Sequence, residues 1–225
     1  MKRLYRQQHL VDFMAVVMQF TRIKIKWSFF SDEAPDLKRA CWAFPLAGWL
    51  LGLIAGGLGQ ILILMDLPII LGCTIAISFC IYLSGAYHDD GLADMADGFG
   101  AGGDGRRISN IIHDSRLGTY GVSALSLAII VRVLLVSSLV ETGLWLFVIM
   151  GSGLAVGKGF VMINRRLFVV SEFAGRATVS FLGNNIRQIV CLLLWFLPCL
   201  FIFSLEQLAL GIFLCVLVSL WCGFR

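Results

Sequence analysis

Polar and apolar residues in this chain do not alternate; apolar residues gather into long blocks joined by short polar links. Blocks at 41–65, 67–88, 117–140 and 143–163 carry almost no charge apart from Arg132 and Lys158 inside the last two. A fifth block, 188–222, is divided by Glu206 and Gln207 into two shorter ones. A membrane-crossing helix needs about 17–25 apolar residues, each rising about 1.5 Å. Backbone groups in lipid must bond within their own segment, so blocks of this length are helices and not strands. The pattern predicts an all-α, polytopic integral membrane helical bundle with about six transmembrane helices. Ahead of the first block, Leu10, Phe13, Val17 and Phe20 recur at helical spacing on one face. Asp12 and Gln19 interrupt the apolar run and no small-residue cleavage site follows, so an interfacial amphipathic helix is expected rather than a signal peptide.

Composition agrees: 59% of residues are hydrophobic, 14% are charged, and mean hydropathy is +0.88. Soluble domains carry about 25% charged residues, and a folded sphere of this size could not hide so much apolar surface from water. With only four prolines and long apolar runs, disorder and collagen-like structure are also excluded. The scarce charge is unevenly placed. Lys and Arg number eight in 1–40, three in 88–116 and four in 164–187, with Arg225 at the end; the links around Asp66, Glu141 and Glu206 have none. The positive-inside rule then puts both termini and both long loops in the cytoplasm. One membrane-embedded catalytic domain is expected over 1–225, with 1–40 a basic amphipathic segment and 88–121 the active-site loop. The seven cysteines lie in or beside the spans without a CxxC pair and are expected to be buried small apolar residues.

The chemistry gathers in 88–121. Six of the chain's 14 acids fall between 88 and 116. On a helix Asp90, Asp94 and Asp97 lie within about 60° of one another. Three carboxylates on one face repel each other and raise one another's pKa unless a cation joins them. Hard divalent ions use such oxygens, and Mg²⁺ leaves positions for water and phosphate. Asp90, Asp94 and Asp97 are therefore expected to hold Mg²⁺ against a diphosphate or phosphodiester. Gly91 and Gly98 leave room for a substrate beside the backbone. Arg106, Arg107 and Arg116 can neutralise phosphate oxygens that the metal does not reach. His88 is a candidate lining group, and Asp104 a candidate turn residue. The residues point to a membrane enzyme acting on a phosphate anhydride or phosphodiester from the cytoplasmic side.

Two blocks, Asp90-Gly91-Leu92-Ala93-Asp94 ending in Asp97-Gly98, and Asp114-Ser115-Arg116 continuing through Gly118-Thr119 to Gly121, resemble the cobalamin synthase (adenosylcobinamide-GDP ribazoletransferase) family. Phe20-Thr21-Arg22, Phe44-Pro45-Leu46 with Gly48 and Gly52, and the basic Arg132 extend the resemblance over nearly the whole chain. It implies transfer of the cobinamide phosphate group from adenosylcobinamide-GDP to α-ribazole or its 5′-phosphate, with Mg²⁺ and release of GMP. Asp97 or Asp114 would then take the proton from the attacking hydroxyl. Arg116, with Arg106 or Arg107, would hold the leaving phosphate. His88, Ser115, Arg132 and Lys158 join Gly91, Gly98, Arg106 and Arg107 as expected substrate-binding residues.

The chain departs from the family at three places. Gly157-Lys158 stands where Ser-Arg is usual, which keeps the charge without the bidentate fork. Ile23-Lys24 replaces a Leu-Pro step, and the chain stops at Phe224-Arg225 without a Gly-x-Thr-Gly-Asp segment, as expected of a chain ending one functional segment early. Arg132, inside a span, is expected to face the bundle interior and a partner, either a substrate phosphate or an acid such as Asp114. Expected partners are the corrinoid nucleotide, α-ribazole and the bilayer. Nucleic acid is not among them, and a homo-oligomer is compatible. The expected location is a bacterial inner membrane. Two rivals remain at this stage. CDP-alcohol phosphotransferases use Asp-Gly-x-x-Ala-Arg, whereas Asp94 follows Ala93 here. A cation transporter would place its acids near the membrane midplane.

Overall fold

The computed structural model describes residues 8–167 and isolated positions at 203, 204, 211, 213 and 217. The expected spans within 188–222, most of the basic segment 164–187 and both termini lie outside the described residues. Every regular element among the described residues is helical. They are α1 (Gln8–Phe20), α2 (Leu37–Ala40), α3 (Phe44–Leu64), α4 (Ile69–Ser84), α5 (Tyr87–Ala101), α6 (Gly105–Ile112), α7 (Thr119–Glu141) and α8 (Leu146–Leu167), with short 3-10 turns at Trp27–Phe29 and Cys41–Ala43.

Two stretches, Leu37–Leu64 and Thr119–Glu141, are long and apolar enough to cross a membrane. A third qualifies if α4 and α5 are taken as one span bent by 88°, and α8 contributes a shorter apolar stretch, Leu146–Val161. The outer surface suits lipid: Leu127, Ile130, Val131, Leu134 and Leu135 of α7 are exposed, as are Leu53, Ile54 and Ile61 of α3. Exposed apolar surface of this extent would be a liability in water.

Without a hydrophobic drive between helices in lipid, packing depends on small residues that let backbones approach. α3 supplies them one turn apart at Gly48, Gly52 and Gly56, and all three face α8. A Cβ at Gly48 would stand 2.6 Å from the Ala155 nitrogen, and one at Gly56 would stand 2.6 Å from the Phe147 Cα. Alanine at either position would force the two helices apart. Around this seam Leu51, Ala55, Cys73, Ala76, Ile77, Leu146, Ile149 and Met150 form the main apolar core. Cys41, Cys73 and Cys80 are buried and free, as expected. Gln60, buried on α3, accepts from the Leu146 N–H at 2.8 Å and so satisfies a donor at the start of α8.

α1 forms where the apolar spacing predicts it and packs on α2 and α3 through Ala15, Val16 and Phe20. Asp12, which interrupts the apolar pattern, is only 3% exposed. It accepts from Arg39 Nε at 2.8 Å and from Trp42 Nε1 at 3.3 Å, so the interruption ties α1 to α2 and to the turn that leads into α3. The span expected over 67–88 ends early, at Ser84. Gly85 and Ala86 both take left-handed backbone, at φ 67° and 58°, and the N–H groups of both turn back onto α4 carbonyls. The turn sends α5 off the α4 axis at 88°. With four carboxylates in 15 residues α5 is not itself a spanning helix. The loop expected over 88–121 is thus mostly two helices.

Candidate active site

α5 presents two faces. Asp89, Ala93 and Asp97 are buried, whereas Asp90 is exposed and Asp94 half-buried on the neighbouring flank. Asp97 Oδ2 accepts the Gly118 N–H at 2.7 Å and Oδ1 accepts the Gly121 N–H at 2.8 Å. Gly118 has no side chain to cap α7, so a carboxylate from another helix caps it. The close fit needs glycine: a Cβ on Gly118 or Gly121 would run into the Asp97 carboxylate. Asp97 therefore latches the two sequence blocks, 21 and 24 residues apart, onto one another.

Asp90 and Asp94, one turn apart, are left as the open acidic edge. Burial, followed by the charges of Asp90 and Asp97, raises the Asp94 carboxyl above the usual carboxylate range, while His113 works the other way. Among the described residues no group of three or more His, Cys, Asp or Glu side chains is gathered closely enough to hold a metal ion. Of the expected three-carboxylate set, Asp97 already accepts two amide N–H groups, and Asp90 and Asp94 are the open pair. Two hard oxygen donors still fit Mg²⁺, which commonly uses one or two carboxylates together with waters and substrate phosphates.

Beyond α5 the chain builds a basic rim. Asp104 accepts the Arg107 N–H at 2.8 Å and is the N-cap of α6, so its candidacy as a turn residue resolves as a cap. Arg106 and Arg107, in the first turn of α6, and Ser115 are exposed. Arg116 Nη2 donates to Asp114 Oδ2 at 2.7 Å while its Nε donates to both oxygens. Hydrogen bonds from the Arg116 side chain and backbone hold Asp114 below the usual carboxylate range. The two expected glycines differ. A Cβ on Gly91 would meet nothing within 4 Å, which suits an open approach, whereas one on Gly98 would stand 2.7 Å from Ile112 Cγ1. Gly98 is thus needed for α6 to pack on α5.

The remaining candidates lie elsewhere. His88, Arg132 and Lys158 line a half-open cavity of about 530 Å³ bordered by α3, α4, α7, α8, the start of α5 and Phe203. Arg132 donates to Asp89 at 2.5 Å, so its protein partner is Asp89 and not Asp114. Lys158 Nζ sits 4.2 Å from the centre of the Phe20 ring, and His88 stacks on the same ring at 5.6 Å between centroids. His88 and Asp90 point about 160° apart around α5. The residues expected at one site therefore divide between an outer rim and an inner cavity. Sequence reasoning missed Asp89 and Phe20 as site residues. The signal for Asp89 was present, since an arginine inside a span needs an acid within reach.

The sequence profile described as cobalamin-5-phosphate synthase matches residues 12–225. The chain belongs to this family. Its relatives include three adenosylcobinamide-GDP ribazoletransferases. That of Azorhizobium caulinodans is 39% identical over 58% of this chain and 50% of its own length. That of Xanthobacter autotrophicus is 37% identical over 58% and 51%, and that of Ralstonia pickettii 35% identical over 68% and 59%. The chain spans about half the length of the curated relatives it matches. No solved structure matches it. Family membership and the latch explain each other: the carboxylate block of α5 and the Asp114–Gly121 block are the motifs on which the resemblance rests, and Asp97 joins them.

Proposed function

We propose that the protein is a multi-pass bacterial inner-membrane enzyme that transfers the cobinamide phosphate group of adenosylcobinamide-GDP to α-ribazole or its 5′-phosphate, releasing GMP. Six spans with both termini in the cytoplasm would set the α5–α6 rim on the cytoplasmic side, where the basic residues concentrate. The observation that carries the reading is the Asp97 latch. It brings the open carboxylates of α5 and the Asp114–Arg116 pair to one end of the bundle, where a diphosphate needs both a metal edge and guanidinium groups.

In this reading Asp90 and Asp94 hold Mg²⁺, which when bound supplies charge stabilisation to the diphosphate. Asp97 orients α7 and keeps the rim in register. Arg106 and Arg107 bind the diphosphate oxygens and limit their repulsion of the attacking hydroxyl. Arg116 serves as an exchangeable clamp: a substrate phosphate competes with Asp114 for its guanidinium. Once Arg116 turns to phosphate, Asp114 loses the hydrogen bonds that hold its pKa down and becomes a better acceptor for the hydroxyl proton. The base is thereby switched on by the substrate that needs it.

The test is an assay of the purified protein in bilayers with adenosylcobinamide-GDP, α-ribazole and Mg²⁺, following GMP and the corrinoid product. GMP release that stops with EDTA and returns with Mg²⁺ supports the reading. A lipid product from a CDP-activated donor, with no corrinoid product, overturns it.

A further inference from the structure

The chain between α1 and α2 takes no part in the rim chemistry, and its surface does not suit water. The apolar face of α1 is turned to protein: Val17 and Phe20 are buried, and Ala15, Val16 and Phe20 pack with Ala40, Cys41 and Phe44. The residues that follow are arranged differently. Over 22–27 the order Arg-Ile-Lys-Ile-Lys-Trp alternates cation with apolar residue, and no acid occurs as far as Phe30. Ile23-Lys24, one of the chain's departures from the family pattern, belongs to this strip. Arg22, Lys24 and Lys26 are exposed, as is Ile23, while Ile25 and Trp27 are half-buried. The 3-10 turn at Trp27–Phe29 then presents Phe29, more than half exposed, with Lys26 Nζ 5.2 Å from its ring centre. Trp27 is held in place by its Nε1–H, which donates to the Glu33 carbonyl at 2.7 Å. In segments of this kind the apolar groups enter the headgroup boundary and the ammonium groups reach back to phosphate.

A separate set of contacts fixes the level at which the strip lies. The Arg22 N–H donates to the Leu83 carbonyl at 2.7 Å, in the last turn of α4. The Arg22 guanidinium lies 5.3 Å from the centre of the Tyr82 ring. That end of α4 carries Tyr82 and, past the Gly85–Ala86 bend, Tyr87, both more than half exposed. Tyr and Trp gather where an apolar helix leaves the hydrocarbon for the headgroups. The strip is thus moored at the end of α4, among aromatic rings suited to that depth.

We propose that residues 22–30 form a docking strip for anionic phospholipid, with Lys24 and Lys26 on headgroup phosphate and Ile23, Trp27 and Phe29 in the headgroup–acyl boundary. The charge within the strip favours an anionic lipid over a zwitterionic one, since three cations stand there without an acid. Of the acids that come next, Asp36 is engaged as the N-cap of α2 and with Arg39. Anionic lipid attracts such segments from the cytoplasmic leaflet, the side to which the basic loops are assigned. The inference goes beyond the proposed reaction and needs only a bilayer around the helices.

The experiment places the full chain in phosphatidylcholine nanodiscs that contain a brominated probe lipid, either phosphatidylglycerol or phosphatidylcholine, at equal mole fraction. Quenching of Trp27 is read as the difference between the wild type and Trp27→Phe, which removes the background of the other tryptophans. Phosphatidylglycerol is expected to associate about tenfold or more in preference to phosphatidylcholine, since each lysine near the surface contributes about fivefold. Added salt should weaken that preference. Lys24→Gln/Lys26→Gln should bring the two lipids close to equality, and Lys24→Arg/Lys26→Arg should keep them apart. Both variants should melt as the wild type does, because both side chains are exposed. Phe29→Ser should lower quenching by both lipids. Equal quenching by the two lipids in the wild type overturns the proposal, as does an undiminished preference in Lys24→Gln/Lys26→Gln. Absence of quenching by either lipid also overturns it, and a dimer that Phe29→Ser dissociates would then mark the strip as a contact between copies of this chain. GMP release is not read at any step, so failure of the strip leaves the reaction standing and failure of the reaction leaves the strip.

Discussion

Asp114 and Arg116 meet on an exposed rim, whereas Asp89 and Arg132 meet at the wall of a half-open cavity between helices. The residue types are the same and the physical consequences differ. On the rim, water screens the pair and the side chains can exchange partners at little cost. At the cavity, Asp89 is buried and depends on one guanidinium, so the pair behaves as structure. Mobile charge suits handling a diphosphate, and fixed charge suits shaping a pocket. Asp97 lies between the two regimes: a buried carboxylate whose partners are backbone amides and whose product is the alignment of two motifs.

This contrast can be broken by experiment, beginning with the largest expected effect. Asp94→Asn should lower turnover on the order of 100-fold or more while the protein still elutes as a folded species in detergent. Near-normal GMP release from that variant would remove the acidic edge from the chemistry. Arg132→Met should cost about 1.5–3 kcal/mol of stability by stranding Asp89, and the Asp89→Asn/Arg132→Met double variant should recover much of it. A thermal-melt cycle without coupling would show that the cavity pair is as dispensable as the rim pair. Asp97→Ala should cost about 1–3 kcal/mol through two orphaned amides and speed hydrogen exchange at Gly118 and Gly121. Unchanged exchange there would mean that α7 needs no latch. Arg116→Gln is expected to leave the melting midpoint unchanged and raise the donor KM several-fold. A drop in stability instead would make the rim pair structural and erase the contrast.

Much of this was legible in the chain. Apolar blocks locate α3, α7 and α8 to within a few residues because lipid imposes length and composition on any helix that crosses it. The adjacency of Asp90 and Asp94 follows from helical geometry, although the same spacing also put Asp97 with them and did not show that it is buried against α7. Other features were not legible. The end of α4 depends on Ala86 adopting φ 58°, which alanine does not advertise. Gly48 and Gly52 stand in the sequence only as part of the family pattern, and that they and Gly56 admit α8 is a tertiary outcome.

The sequence by itself determined the apolar, all-helical class of the protein, the positions of α3, α7 and α8 and the block that bears the carboxylates, since these depend on hydropathy, length and local periodicity. The tertiary structure alone decided which acid meets which cation. Asp97 and Asp89 differ by eight positions on one helix, yet one meets the amides of α7's first turn and the other an arginine deep in the same helix. That choice is set by how α5 leans on α7 after the Gly85–Ala86 bend, a long-range packing outcome that no local pattern encodes.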